Sequence, residues 1–114
     1  MTAETVKVAG VTFQNRQKTL MGIRTNLRNK VPTTMLLIRE PGNQYDRNAI
    51  KVLARWQRDG QTRRAQVGYI PRETAEKLAP LMDRKVYIHI KDYEISDTKT
   101  VGLALHLEWN PQRP

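Results

Sequence analysis

The sequence contains no cysteine, which removes disulfides and thiolate metal ligands together. Its single serine, Ser96, lies in no nucleophile motif. There are two histidines, His89 and His106, whereas a catalytic zinc site takes three protein ligands. Asp92, Glu94 and Asp97 lack the glycine and terminal glutamate of a calcium loop and read as a solvated hairpin bend. No phosphate-cradling Gly-Lys-Ser/Thr loop and no dinucleotide fingerprint occur. No apolar run approaches the ~18 residues of a spanning helix. The opening Met1-Thr2-Ala3-Glu4-Thr5 lacks the basic-then-apolar pattern of a secretory signal. The expectation is a cytoplasmic protein, free or on the nucleoid, that is not an enzyme. No metal, cofactor, membrane or small-molecule substrate is expected.

Acidic residues are scarce in one half only. Residues 1–64 carry 13 Lys or Arg against 4 Asp or Glu, while residues 65–114 carry 7 against 7. The whole net charge of +9 therefore sits in the first half. Such asymmetry creates a local positive potential that favours a polyanion. A solvated basic surface is the plainer reading, and clustered arginine tips the balance toward nucleic acid.

The 114 residues fit one domain over 1–114, with a core over about 5–109 and a polar tail at 110–114. Val6 and Val8 alternate in a first strand reaching Phe13, with a bulge or bend at Gly10 where the parity changes. Residues 14–32 bear Arg16, Lys18, Arg24, Arg28 and Lys30 and no acid. Leu20, Ile23, Leu27 and Val31 recur there at roughly helical spacing, and a short helix or an ordered loop both fit. Met35-Leu36-Leu37-Ile38 reads as a strand buried on both faces. Residues 41–48 form a loop dense in Pro, Gly, Asn and Asp. Ile50, Val52, Ala54 and Trp56 share one strand face, Asp59-Gly60 turns a hairpin, and Ala65, Val67 and Tyr69 share a face on the return.

Pro71 opens a helix as its first residue, with Ala75, Leu78, Ala79, Leu81 and Met82 as its apolar stripe. Pro80 kinks it or starts a second one. Two strands close the chain, Val86 to Ile90 or on to Ile95, and Val101 to Trp109. His89 and His106 fall at polar positions of these strands. The fold class is mainly β with one main helix: about six strands in a small barrel or strongly curled sheet, with the helix between strands four and five.

The loop Asn43-Gln44-Tyr45-Asp46-Arg47-Asn48 sets one aromatic ring among hydrogen-bonding groups. Single-strand binders stack bases on such rings, at about 1–3 kcal/mol per base. Phe13 offers a second ring, and neighbouring Lys and Arg offer phosphate contacts. Plainer readings stand beside these. Tyr45 could plug the barrel end, Phe13 could belong to the core, and Asp46 and Asn48 could serve turn chemistry.

The block Arg39-Glu40-Pro41-Gly42-Asn43-Gln44-Tyr45-Asp46-Arg47-Asn48-Ala49-Ile50-Lys51-Val52, with Val67-Gly68-Tyr69-Ile70-Pro71 downstream, closely resembles the HIRAN domain. So does the opening Val8 to Phe13. The resemblance covers residues 5 to 107. It implies an OB-like barrel found in SNF2-type remodelling ATPases and as stand-alone bacterial or phage proteins. It further implies single-stranded DNA as partner, capture of a free 3′ end, and work beside replication or repair proteins. On the motif positions, Phe13 and Tyr45 resemble the two base-stacking aromatics and Asp46 the acid that recognises the 3′ hydroxyl. Asn43 falls in the DNA-contacting loop, with Lys51 and Tyr69 beside it. Arg16, Lys18, Arg24 and Arg47 are the phosphate-contact candidates. Two departures stand out: Thr12 replaces an arginine of the eukaryotic domains, and Phe13 keeps a stacking face without a phenolic hydroxyl. The alternatives are a protein-docking module for a helicase, nuclease or other repair factor, and a non-specific binder of duplex DNA.

Overall fold

A computed structural model describes residues 1–112. Its elements run β1 (Thr2–Lys7), α1 (Arg16–Arg28), β2 (Thr33–Arg39), β3 (Ile50–Arg58), β4 (Gln61–Tyr69), α2 (Arg72–Asp83), β5 (His89–Ile95) and β6 (Leu103–Trp109). The alternation at the end of the chain is clean. Leu103, Leu105, Leu107 and Trp109 are all buried, and β6 is the central strand of an antiparallel sheet ordered β1-β6-β5. The second sheet is ordered β2-β3-β4. There Ile50, Val52 and Ala54 face inward from the central strand. Asp59 (φ 52°) and Gly60 (φ 76°) both adopt the left-handed conformation that a tight two-residue hairpin turn requires.

The protein is mainly β, with the six expected strands. They form two three-stranded sheets joined at a corner, not one continuously hydrogen-bonded barrel. The joint follows from the end of β1. Val8 N–H still donates to Leu103 O (2.9 Å), but the next residue switches sheets: Ala9 and Tyr69 exchange backbone hydrogen bonds at 2.7 and 2.9 Å. Gly68 makes this crossing possible, because a β-carbon there would press into the Ala9 carbonyl and the Val8 side chain. At another corner the Tyr93 hydroxyl donates to Thr33 O (2.8 Å), and burial pushes its phenol pKa up, with Asp92 adding to the rise. Between the sheets lies one core that includes Val6, Leu20, Ile23, Val67, Leu78, Leu105 and Leu107, each contributing about 1.5–3 kcal/mol on burial.

Several elements differ from the sequence reading. The first strand stops at Lys7, because Gly10 takes φ +71° and turns the chain, so Val11 to Phe13 are not strand. Residues 16–28 are a true helix, a second one beside α2. Its buried seam is short, since Leu20 and Ile23 are enclosed while Leu27 is exposed. Both helices end in the same closure. Val31 N–H reaches Asn26 O and Val86 N–H reaches Leu81 O, with Lys30 (φ 59°) and Lys85 (φ 67°) where glycine is usual.

β2 is covered less than expected, with only Met35 of its apolar run fully buried and Ile38 exposed. In β4 a bulge shifts the register, pairing Val52 with Gly68 but Leu53 with Gln66. Parity flips there, and Tyr69 pairs with Lys51 on the outer face, away from the face of Ala65. Pro71 caps α2 from outside the helix (ψ 143°). Pro80 sits within one continuous helix, near its end, where the helical hydrogen bond it removes is to the carbonyl of Glu76, an exposed residue. Val86 and Ile88 are buried ahead of β5, which starts only at His89. Of the expected frayed tail 110–114, Pro111 O accepts a hydrogen bond from Arg84 (3.2 Å), and residues 113–114 lie outside the described residues.

Gly68→Ala should destabilise the domain by about 1–3 kcal/mol, since the intruded atoms are backbone and a core valine. Urea unfolding checks this, and wild-type stability in the variant would refute the close approach.

Candidate nucleic-acid interface

The turn after β1 and the loop after β2 meet at the joint between the sheets. Arg16, at the first position of α1, donates from Nη1 to Gly10 O (2.8 Å) and holds that turn closed. Its guanidinium lies over two rings, 5.1 Å from the Phe13 centroid and 5.5 Å from that of Tyr69. Arg16 is buried, and its Nε has no partner among the described residues. Phe13 rests against this cation on one side and is 59% exposed. Gln17 fixes the same turn from behind, donating to Val11 O (2.9 Å) and Val101 O (2.8 Å).

Tyr69 leads onward to Glu40. Its hydroxyl donates to Glu40 Oε1 (2.9 Å), which also accepts from Asn43 Nδ2 (2.6 Å). The other oxygen, Oε2, stands 3.7 Å from Lys51 Nζ. The hydrogen bonds from Asn43 and Tyr69 hold the Glu40 carboxyl below its ordinary pKa, with Lys51 assisting against a partial burial penalty. Asn43, thus anchored, turns its own Oδ1 to the next turn and accepts the Tyr45 (2.9 Å) and Asp46 (3.0 Å) amides. Asp46 Oδ1 accepts the Asn48 amide (2.9 Å), and its Oδ2 lies 4.0 Å from Arg72 Nε. The Tyr45 ring projects from this fixed turn, 81% exposed.

Phe13, Asn43, Tyr45, Asp46, Lys51 and Tyr69 are therefore one connected set, contributed by four segments. The turn chemistry foreseen for Asp46 is present, with Asn48 contributing its backbone amide and not its side chain, and together with Asn43 it fixes the loop that carries Tyr45. Neither Tyr45 nor Phe13 is buried.

The four basic candidates are dispersed. Arg47 is exposed beside Asp46, and its carbonyl accepts from Arg39 (3.1 Å). Lys18 lies on α1 along the groove facing Trp56, Gln57 and Arg58. Arg24 donates to Ser96 O (3.1 Å) and Thr98 O (3.0 Å), so its guanidinium locks the β5–β6 connection. Arg16 is internal to the aromatic pair. Sequence reasoning passed over Glu40, Arg39 and Arg72. Glu40 lay inside the quoted block, but only the fold shows that it joins β4 to the loop. Arg39 grips the loop's far end through Ala49 O (2.8 Å) and is itself held by Asp83 (3.0 Å).

The histidines lie on the paired strands β5 and β6 and are not cross-strand partners. His89 pairs with Glu108 across the sheet, while His106 takes Thr5 (2.9 Å) and Glu94 (3.3 Å). Among the described residues no cluster of three or more potential metal ligands occurs. Among them, too, no helix is long and apolar enough to cross a membrane.

A family model matches residues 5–110, nearly the whole chain, and its description is HIRAN domain. The chain belongs to the HIRAN domain family. HIRAN domains are DNA-binding modules, generally without catalysis, and DNA binding is the role the family assigns here. A 47-residue stretch, 41% of the chain, is 51% identical to a putative SWI/SNF-related matrix-associated actin-dependent regulator of chromatin, subfamily A member 3-like 1, from Arabidopsis thaliana. That stretch spans only 4% of the plant protein. A crystal structure of a Lactobacillus plantarum protein superposes with a TM-score of 0.61 at 31% identity, covering 93% of both chains.

The Glu40 carboxylate should support this HIRAN domain's loop at neutral pH and stop doing so only in acid. Because its pKa is depressed by folding, its contribution is complete above the ordinary value of 4.5 and is lost as pH falls through the lower folded value. Glu40→Ala should cost roughly 1 kcal/mol at pH 7 and flatten the acid limb of stability against pH. Urea unfolding from pH 7 down to about 3 reads both effects. An acid limb identical in variant and wild type would argue against the network.

Proposed function

We propose that this HIRAN domain binds single-stranded DNA at a free 3′ end, in DNA replication or repair. The observation that carries the reading is the pair of exposed rings, Phe13 and Tyr45, linked through Arg16, Tyr69, Glu40 and Asn43 to the turn that bears Asp46. Large exposed rings on backbone segments held by hydrogen bonds offer stacking faces with little backbone ordering left to do on binding. One base lies on Tyr45 and its neighbour on Phe13, whose underside is stiffened by the Arg16 guanidinium. Asp46 Oδ2 is free of backbone partners and accepts the terminal 3′ hydroxyl. A chain continuing through phosphate at that point would set two anions against each other, so the acid discriminates an end from an interior position. Arg72, 4.0 Å from the acid, and the exposed neighbouring Arg47 take the backbone phosphates on either side.

Fluorescence anisotropy with a labelled oligonucleotide tests the reading, comparing a 3′ hydroxyl with a 3′ phosphate. Wild type should prefer the hydroxyl, and Asp46→Ala should bind both alike. Tyr45→Ala should lose about 1–3 kcal/mol of affinity for either. Equal binding of both ends by wild type defeats end capture and leaves general DNA binding in its place.

A further inference from the structure

Charge is divided between the two sheets. β2, β3 and β4 carry Arg39, Lys51, Arg55, Arg58, Arg63 and Arg64 and no acidic residue. β1, β6 and β5 carry two lysines against Glu4, Asp92, Glu94 and Glu108. Within the basic sheet, Arg39 and Lys51 are neutralised by Asp83 and Glu40. Among the described residues the four arginines of the hairpin have no carboxylate partner, and all four are exposed.

Two of them oppose each other. Arg55 and Arg64 are direct cross-strand partners, a like-charge pairing that costs stability. A repulsion kept without internal compensation points to compensation from outside. The position of the pair supplies the direction. Arg55 lies on the same face of β3 as Lys51, two same-face positions further along, about 13 Å from it. Lys51 pairs with Tyr69, which closes the aromatic set. Half-buried Leu53 lies between Lys51 and Arg55, and exposed Ile38 pairs with Lys51 from β2. The outer face of the β3–β4 hairpin is thus a path with an apolar floor and cationic steps, leading from the candidate end site toward the turn at Asp59-Gly60.

We infer that this face is a second nucleic-acid contact, in which Arg55 and Arg64 take the backbone phosphates of the strand leading away from the captured end. The inference rests on the end-capture reading for its direction, but phosphate binding by the pair does not depend on how the end is held. It predicts that affinity grows with oligonucleotide length beyond the few terminal bases.

The test uses Arg55→Gln/Arg64→Gln, with Arg55→Lys/Arg64→Lys as the charge-conserving control. Both are titrated with an oligothymidylate of about 12 nucleotides and with a trinucleotide, each bearing a 3′ hydroxyl or a 3′ phosphate. The glutamine variant should bind the long oligonucleotide more weakly whichever group ends it. Its log–log salt slope should be shallower by about 1–1.5, as expected for two lost phosphates on a single strand. Trinucleotide binding and any hydroxyl preference should be unchanged, and the lysine variant should keep the wild-type slope. A wild-type slope in the glutamine variant, or no length dependence in wild type, overturns the inference. Loss of hydroxyl preference in Asp46→Ala with the slope intact supports it, as does a wild type blind to the end whose slope still falls in the glutamine variant. The latter outcome sinks end capture alone.

Discussion

Two backbone hydrogen bonds between Ala9 and Tyr69 hold the rest of the molecule in register. They carry the chain from one sheet to the other, and everything at the candidate site is positioned relative to them. Phe13 lies four residues beyond Ala9, in the turn that Gly10 opens. Tyr69 is the other half of the bridge, and it reaches Glu40 and so the Asn43–Asn48 loop. Arg16 closes the arrangement by touching Gly10, Phe13 and Tyr69 at once. The close approach demands a residue without a side chain at position 68, so one glycine underlies both the joint and the geometry of the rings.

The parts of the fold that were readable from the sequence are those governed by strict alternation or by a turn with one chemical solution. β6 and the β3–β4 hairpin belong here, the latter through Asp59-Gly60. The hidden parts have identifiable causes. α1 buries Leu20 and Ile23 but leaves Leu27 exposed, and it closes on Lys30 in a conformation that advertises glycine. The turn after Gly10 looked like strand because Val11 and Phe13 continue a period of two. The bulge in β4 adds one residue, and that single addition moves Tyr69 to the outer face. Local pattern cannot report such an insertion, because it is set by pairing with Val52 and Leu53 on another strand.

The site was legible as residue types and less so as connections. Tyr45, Asp46 and Asn43 share a short segment, and their turn chemistry follows from their identities. Phe13 and Tyr69 come from distant positions. What unites them is a buried arginine, which from sequence alone looks like one more member of a basic surface. Glu40 likewise looks like an isolated acid in a basic half, whereas it accepts from two segments and faces a third.

The pairing of β1 with β6 has a consequence for how the domain comes into being. Thr2 is the partner of Trp109, so this sheet joins the opposite ends of the chain. Contacts of such long sequence separation require closure of a very large loop before they return any favourable energy, which places folding among slower topologies. The Ala9–Tyr69 joint sits just past the end of that pairing, where β1 gives way to the turn bearing Phe13. The hairpin of β3 and β4 can form early from local contacts, but the ring pair waits for the last strand. On the ribosome the basic hairpin would emerge well before β6, so the turn bearing Phe13 is fixed against Tyr69 only with completion of the sheet.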